Sequence, residues 1–82
     1  MQTVGIVELD IHGKNQYQAR VAIDAVLRRA NNGTYRIRII HGCNNGTALR
    51  DMVRTAYATH PKVRRTAKGQ NDGITELILR EY

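Results

Sequence analysis

Two short stretches of this chain bring together residue types that can do acid–base or phosphate chemistry: "LDIHG", Leu9 to Gly13, and "IIHGCNNGTALR", Ile39 to Arg50. In the first, Asp10 and His12 are two residues apart, a spacing that puts both on one side of an extended strand. There a carboxylate can orient the imidazole or hold a cation beside it. In the second, an apolar run ends in His-Gly, and a polar loop bounded by Gly42 and Gly46 leads into a helical pattern. The first N–H groups of a helix have no partner within it and carry partial positive charge, which makes such a loop a seat for phosphate. Its candidate residues are Gly42, Asn45, Gly46 and Thr47.

Each feature also has a plainer reading. Asp10 and His12 can be surface residues with no joint task, and the loop can be a tight strand-to-helix turn capped by Asn45 or Thr47. A Walker A loop would need another residue and a Lys, which argues against nucleotide hydrolysis. Strand alternation puts His41 with Ile37 and Ile39, away from His12, where it either supports charge on a bound phosphate or braces the loop. Cys43 reads as a small side chain filling a turn, and His60, just before Pro61, as a partner for terminal helix carbonyls.

The elements that must hold these residues follow from periodicity. Ile6 to His12 alternates as a half-buried strand, with Val7, Leu9 and Ile11 on one side. Asn15 and Gln18 have the spacing of a capping box, and Ala19, Ala22, Ile23, Val26, Leu27 and Ala30 continue an apolar helical stripe. Asn31-Asn32-Gly33 is expected to stop that helix in a left-handed turn. Tyr35 to Ile40 reads as a second strand. A second helix starts at or near Thr47, carries Leu49, Met52, Val53, Ala56 and Tyr57 on one face, and ends before Pro61. Val63 to Ala67 and Ile74 to Leu79 form a closing antiparallel hairpin around "AKGQNDG".

The order βαβαββ predicts a single domain over residues 1–82: an α/β two-layer sandwich with a mixed four-stranded sheet and both helices on one face. The apolar "ITELIL" belongs inside the sheet and the charged "VRRTA" at its edge. Leu9, Ile11, Ile23, Leu27, Ile39, Met52, Val53 and Leu77 are the predicted core. The uncovered face would carry Glu8, Asp10, His12, Arg36, Arg38 and Glu76.

The totals agree with one modest aliphatic core, since 82 residues include no Trp and no Phe. Thirteen Lys and Arg against seven Asp and Glu give a net charge of +6, which suits a polyanionic partner. Six of the cations, Arg50, Arg54, Lys62, Arg64, Arg65 and Lys68, fall in one stretch with Asp51 as its only acid, the pattern of a surface that follows a nucleic-acid backbone. A lone cysteine and an opening without a secretion signal point to a cytoplasmic protein. No run has the length of about eighteen apolar residues that a membrane helix needs.

With "LDIH" and "HGCNNGTALR" both present and βαβαββ order across nearly the whole chain, the sequence resembles the Smr (small MutS-related) domain family. Members are marked by an LDxH-like first strand and an HGxGxG loop, and several act as endonucleases on DNA or RNA. The resemblance implies a fold similar to the C-terminal domain of translation initiation factor three, an RNA-binding module, and the length suits a stand-alone member. Matched residue by residue, the first motif falls on Leu9, Asp10, Ile11 and His12, and the second on His41, Gly42 and Gly46. The loop differs from the family pattern: the middle glycine is absent, one residue is added, and Cys43-Asn44-Asn45 replaces a Lys-Gly arrangement.

Two functions fit the same surface. As an endonuclease, a hydrolase of phosphodiester bonds, the domain would use Asp10, His12 and His41. A two-metal site needs more acids than Asp10 and Glu8 supply. Either one divalent cation such as Mg²⁺ sits on Asp10, or His12 serves as general base or acid, for instance on the 2′-hydroxyl of RNA, with His41 and the loop N–H groups facing the developing charge. As a binding module, the loop would hold a phosphate while the Arg/Lys stretch follows the backbone of DNA, structured RNA or a ribosome. Lacking Phe and Trp, it would read backbone and shape rather than stacked bases. A structural or protein-binding role is the third reading, should the basic stretch be scattered in space.

Overall fold

The alternation of Val7 and Leu9 with Glu8 and Asp10 becomes strand β1 (Ile6–Asp10) in the computed structural model, which describes residues 5–43 and 47–81. It is followed by α1 (Gln16–Arg29), β2 (Arg36–Ile40), α2 (Ala48–Ala56), β3 (Arg65–Lys68) and β4 (Ile74–Ile78). The sheet order is β1-β2-β4-β3. β1 pairs with β2 in parallel, and β4 runs antiparallel to both β2 and β3. The crossovers through α1 and α2 therefore both join parallel strands and both step across the sheet in the same direction. Right-handedness then assigns the two helices to one face, as the element order predicts.

Local chemistry sets the ends of these elements. β1 stops two residues short of His12, because the Asp10 carboxylate accepts the His12 backbone N–H at 3.0 Å and turns the chain there. At the start of α1 the capping box is complete. Asn15 Oδ1 accepts the Gln18 N–H at 2.8 Å and Gln18 Oε1 accepts the Asn15 N–H at 3.1 Å, so two otherwise orphaned donors are satisfied.

The other end of α1 differs from expectation. No left-handed residue closes it: Ala30 leaves the helix in an extended conformation (φ −64°, ψ 135°) and Gly33 does not have positive φ. The Asn31 side chain takes over the turn by accepting the Gly33 N–H at 2.8 Å. β3 likewise begins later than Val63. That residue turns inward to the core, and the ladder starts where the Arg64 N–H reaches Ile78 O at 2.7 Å.

The core lies between the sheet and the helices. Ile11, Ile37, Ile39 and Leu77 meet Ala19, Ile23 and Leu27 of α1, Met52 and Val53 of α2, and Tyr57 and Val63 beyond it. Leu9 is half-buried rather than buried, because β1 is an edge strand with a neighbour on one side only. Tyr57 ties the helices together, its hydroxyl donating to Asp24 Oδ1 at 2.7 Å. Burial first, and then the Asp24 carboxylate, push its phenol well above the usual tyrosine range.

The open face holds the expected ionisable set in register. Glu8, Arg38 and Glu76 are direct neighbours across β1, β2 and β4. Glu76 is buried and accepts from Arg36 Nη1 at 2.9 Å and from Arg38 Nε at 3.0 Å, while Arg38 Nη1 reaches Glu8 at 3.2 Å. Four charges on three strands thus neutralise one another. Among the described residues no helix is long and apolar enough to cross a membrane.

Candidate functional site

Parallel strands β1 and β2 end side by side, and the two motifs end with them. Where β1 stops, His12 Nδ1 hydrogen bonds Asp10 Oδ1, a pair formed in the turn that the Asp10 side chain itself creates. An ionised carboxylate only accepts, so Nδ1 donates and the ring's other nitrogen, Nε2, is left without a partner among the described residues. The imidazole is 69% exposed. Hydrogen bonds from the His12 ring and then from its backbone N–H hold the Asp10 carboxyl below its ordinary value of 3.8.

Gly42 lies against this histidine. Its φ of +78° favours glycine, and a β-carbon added there would sit 3.5 Å from His12 Cβ. Gly73, at the start of β4, holds the loop from the other side, since its carbonyl accepts the N–H groups of His41 (2.9 Å) and Gly42 (3.0 Å). Gly73 is buried, and a β-carbon on it would come within 3.3 Å of Gly42 Cα. Backbone therefore packs on backbone at the point where the loop meets His12.

His41 faces the helices, as alternation predicts, and is 5% exposed. Its Nδ1 donates to Gly42 O at 2.8 Å, because a carbonyl can only accept. Its Nε2 is 2.9 Å from the hydroxyl of fully buried Thr75, and that same hydroxyl accepts Arg54 Nε–H at 3.2 Å. Arg54, Thr75, His41 and Gly42 thus form one chain of hydrogen bonds from α2 through β4 to the loop. Both His41 ring nitrogens are engaged within it, and neither is presented beside His12.

Thr75 and Gly73 are site residues that the sequence reading passed over. The signal for Thr75 was available: alternation in "ITELI" puts a polar residue on the covered face beside Leu77, and a buried hydroxyl needs a partner.

Thr47 occupies the N-cap position of α2, but its hydroxyl donates to Asp51 Oδ2 at 2.9 Å instead of capping the helix. Asn45 and Gly46, the middle of the expected phosphate seat, lie outside the described residues. Cys43 is exposed. Among the described residues no group of three or more His, Cys, Asp or Glu side chains gathers to hold a metal ion. Asp10 Oδ1 is already committed to His12.

The basic stretch divides between two ends of the sheet. Arg50 pairs with Asp51 at 3.2 Å, Arg54 bonds Thr75, and Lys68 pairs with Asp72 at 3.0 Å. These three stand toward the His12 end, where α2 begins and β3 finishes. Lys62 donates to Leu27 O at 2.7 Å, at the other end of the molecule, and Arg65 pairs with Glu81 at 2.7 Å. Arg64, next to Arg65, is exposed and has no side-chain partner among the described residues.

Fold and motifs together mark an α/β domain with a histidine–carboxylate pair set against a glycine loop. The family model for the Smr domain matches residues 9–80, and the chain belongs to that family. Among solved structures it is similar to the Smr domain of Thermus thermophilus MutS2. That similarity has a TM-score of 0.80 at 28% sequence identity, covering 92% of this chain and 99% of the other. A comparison with curated proteins returns no match.

Proposed function

We propose that this Smr domain binds nucleic acid and cleaves its phosphodiester backbone at the end where Asp10, His12 and Gly42 meet. The observation that carries the reading is the Asp10–His12 hydrogen bond. It fixes one ring nitrogen and leaves Nε2 turned to solvent beside a loop whose glycine admits close approach. A general acid or base needs this arrangement: a fixed tautomer, a free nitrogen and an accessible edge.

With one such group and few acids, RNA is the favoured substrate, because it carries its own nucleophile. His12 Nε2 takes the proton of a 2′-hydroxyl, O2′ attacks the adjacent phosphorus, and the P–O5′ bond breaks. The 5′-oxygen leaves with a proton from water, and the products are a 2′,3′-cyclic phosphate and a 5′-hydroxyl. His41 has a supporting part, holding the Gly42 peptide through Nδ1 while Thr75 and Arg54 hold His41. Arg54, which has no carboxylate partner among the described residues, lends positive potential to the same end. DNA cleavage would require an activated water in place of the 2′-hydroxyl.

The second reading is a binding module without cleavage on DNA, structured RNA or a ribosome. It is favoured by the commitment of both His41 ring nitrogens, which leaves His12 as the single ring at the site with a nitrogen free among the described residues. The deciding experiment incubates the purified protein with labelled single- and double-stranded RNA and DNA, with and without Mg²⁺, beside His12→Ala. Cleavage of RNA lost in His12→Ala supports the enzyme. Binding without cleavage in the parent supports the module.

A further inference from the structure

Among the described residues the seven acids of this chain leave eight of its thirteen cations without a carboxylate partner. Glu8 and Glu76 are spent on Arg36 and Arg38, Asp51 on Arg50, Asp72 on Lys68 and Glu81 on Arg65. Asp10 holds His12, and Asp24 accepts from the Tyr57 hydroxyl. Among the described residues the cations without a carboxylate partner are Lys14, Arg20, Arg28, Arg29, Arg54, Lys62, Arg64 and Arg80. Most of them collect where α1 stops and β4 leaves the sheet, at the end opposite His12. Arg28 and Arg29 form the last turn of α1. Lys62, Arg64 and Arg80, with Asn31, Asn32 and Thr34, line a concavity of about 370 Å³ that has no carboxylate in its wall.

Two of these cations are already held in place. Lys62 is fixed by Leu27 O with further ammonium donors to spare, and Arg80 is steered by Asn32 Oδ1 at 2.6 Å. A ligand here meets donors that have lost part of their freedom beforehand. The helix C-terminus accounts for Lys62 through its carbonyl. It does not account for Arg64 or Arg80, which bring two more positive charges to the same wall.

We propose that this concavity is a second phosphate site, an anchor for the backbone of the nucleic acid whose scissile bond sits at His12. The proposal rests on the nucleic-acid reading above and adds where the rest of the substrate lies. The six strand steps from Tyr35 to His41 put about 20 Å between the two ends, within a molecule 34 Å long. One strand of a DNA duplex advances about 3.4 Å per phosphate along its axis, so anchor and cut stand about six phosphates apart there, and slightly more on the shorter rise of A-form RNA. Substrates shorter than this span engage one end only.

The test is an amide-shift titration of the ¹⁵N-labelled full chain with an RNA duplex of about 12 base pairs, paired with binding measured across a salt series. Amides of Asn31, Asn32, Thr34 and Arg64 are expected to shift together with those of Gly13 and Gly42. In R64A/R80A the far-end shifts disappear, the Gly42 shift persists, and the salt slope falls by about 2, close to one unit for each lost phosphate contact. Arg20→Ala removes one charge away from the concavity and leaves the slope unchanged. Arg64→Ala alone, which disturbs no side-chain bond among the described residues, gives half the effect should the double variant fold poorly. Shifts confined to the Gly42 end overturn the anchor and leave the nucleic-acid reading standing. Shifts nowhere overturn both.

Discussion

Gly42 packs against His12 across the ends of two parallel strands, near enough that a β-carbon on the glycine would touch the β-carbon of the histidine. This contact joins the two motifs into one site. Replacing Gly42 by Ala meets the positive φ before it meets His12, at a cost of about 1–2 kcal/mol for a left-handed backbone, and it crowds the approach to the loop. The expected outcome is weaker nucleic-acid binding together with a lower melting temperature, read by titration and thermal unfolding. Unchanged affinity in a folded Gly42→Ala protein would remove the loop from the binding surface.

Binding and bond breaking should separate at the histidine pair. His12→Ala is expected to leave affinity within about twofold and to abolish cleavage, while Asp10→Asn keeps the shape but loses the charge that orients Nδ1–H and slows cleavage by about 10²-fold. Single-turnover rates at saturating protein measure this directly. A His12→Ala protein that cuts as fast as its parent rules out His12 as the acid–base group.

Thr75→Val keeps the shape of a fully buried side chain and removes its hydroxyl. His41 Nε2 then loses its partner, as does Arg54 Nε, and leaving such groups unpaired costs about 1–3 kcal/mol. Thr75→Ser should recover most of the loss. Denaturant midpoints of the three proteins provide the comparison. If Thr75→Val is as stable as the parent, the hydrogen-bond chain from Arg54 to Gly42 does not brace the loop.

On the open face of the sheet, Glu76 is the shared partner of Arg36 and Arg38. Its hydrogen bonds, with those of Glu8, raise the Arg38 guanidinium above its already high ordinary value. Glu76→Gln leaves two neighbouring arginines without their common counter-charge, with an expected loss of about 2 kcal/mol. For a domain of this size that lowers the melting temperature by about 4–8 °C for each kcal/mol. A melting temperature within error of the parent would mean that water serves the two guanidinium groups equally well.

Acid should unfold this protein through its depressed carboxylates. Asp10 is held below 3.8 chiefly by His12, Asp51 by the Thr47 hydroxyl and then Arg50, and Asp72 by Lys68. A carboxyl with a lower value in the folded state adds stability above its unfolded value, and loses it as pH falls through the folded one. Stability is therefore expected to be level from neutral pH down to about 5 and to decline below 4. All three groups are exposed, so raised salt should shrink the decline. Unfolding curves at stepped pH, for the parent and for Asp72→Asn, check both the direction and the share of one pair.

Several elements were legible in the residues alone because their causes are local. The Asn15–Gln18 capping box, the alternation of β1 and β2, the apolar stripe of α1 and the placement of charged β3 at the edge each depend on neighbours a few positions away. The end of α1 is not legible in this way, because two asparagines and a glycine permit a left-handed stop without requiring it. The side-chain bond from Asn31 to the Gly33 N–H competed and won.

By itself the sequence determined the family, the βαβαββ order, the histidine–carboxylate pair and the side of the sheet on which His41 falls. These follow from spacing along one strand or helix. Only the tertiary structure decided what meets across strands: Gly73 under Gly42, Thr75 between His41 and Arg54, and Glu76 between two arginines. It also divided a stretch of cations that looks continuous in sequence. The chain between Arg54 and Lys68 leaves α2 at one end of the domain and returns along β3 to the other. Neighbours in sequence, Lys62, Arg64 and Arg65, thereby stand apart from Arg50, Arg54 and Lys68. Arg80, far along the chain, joins the first group because β4 runs antiparallel and exits beside the end of α1.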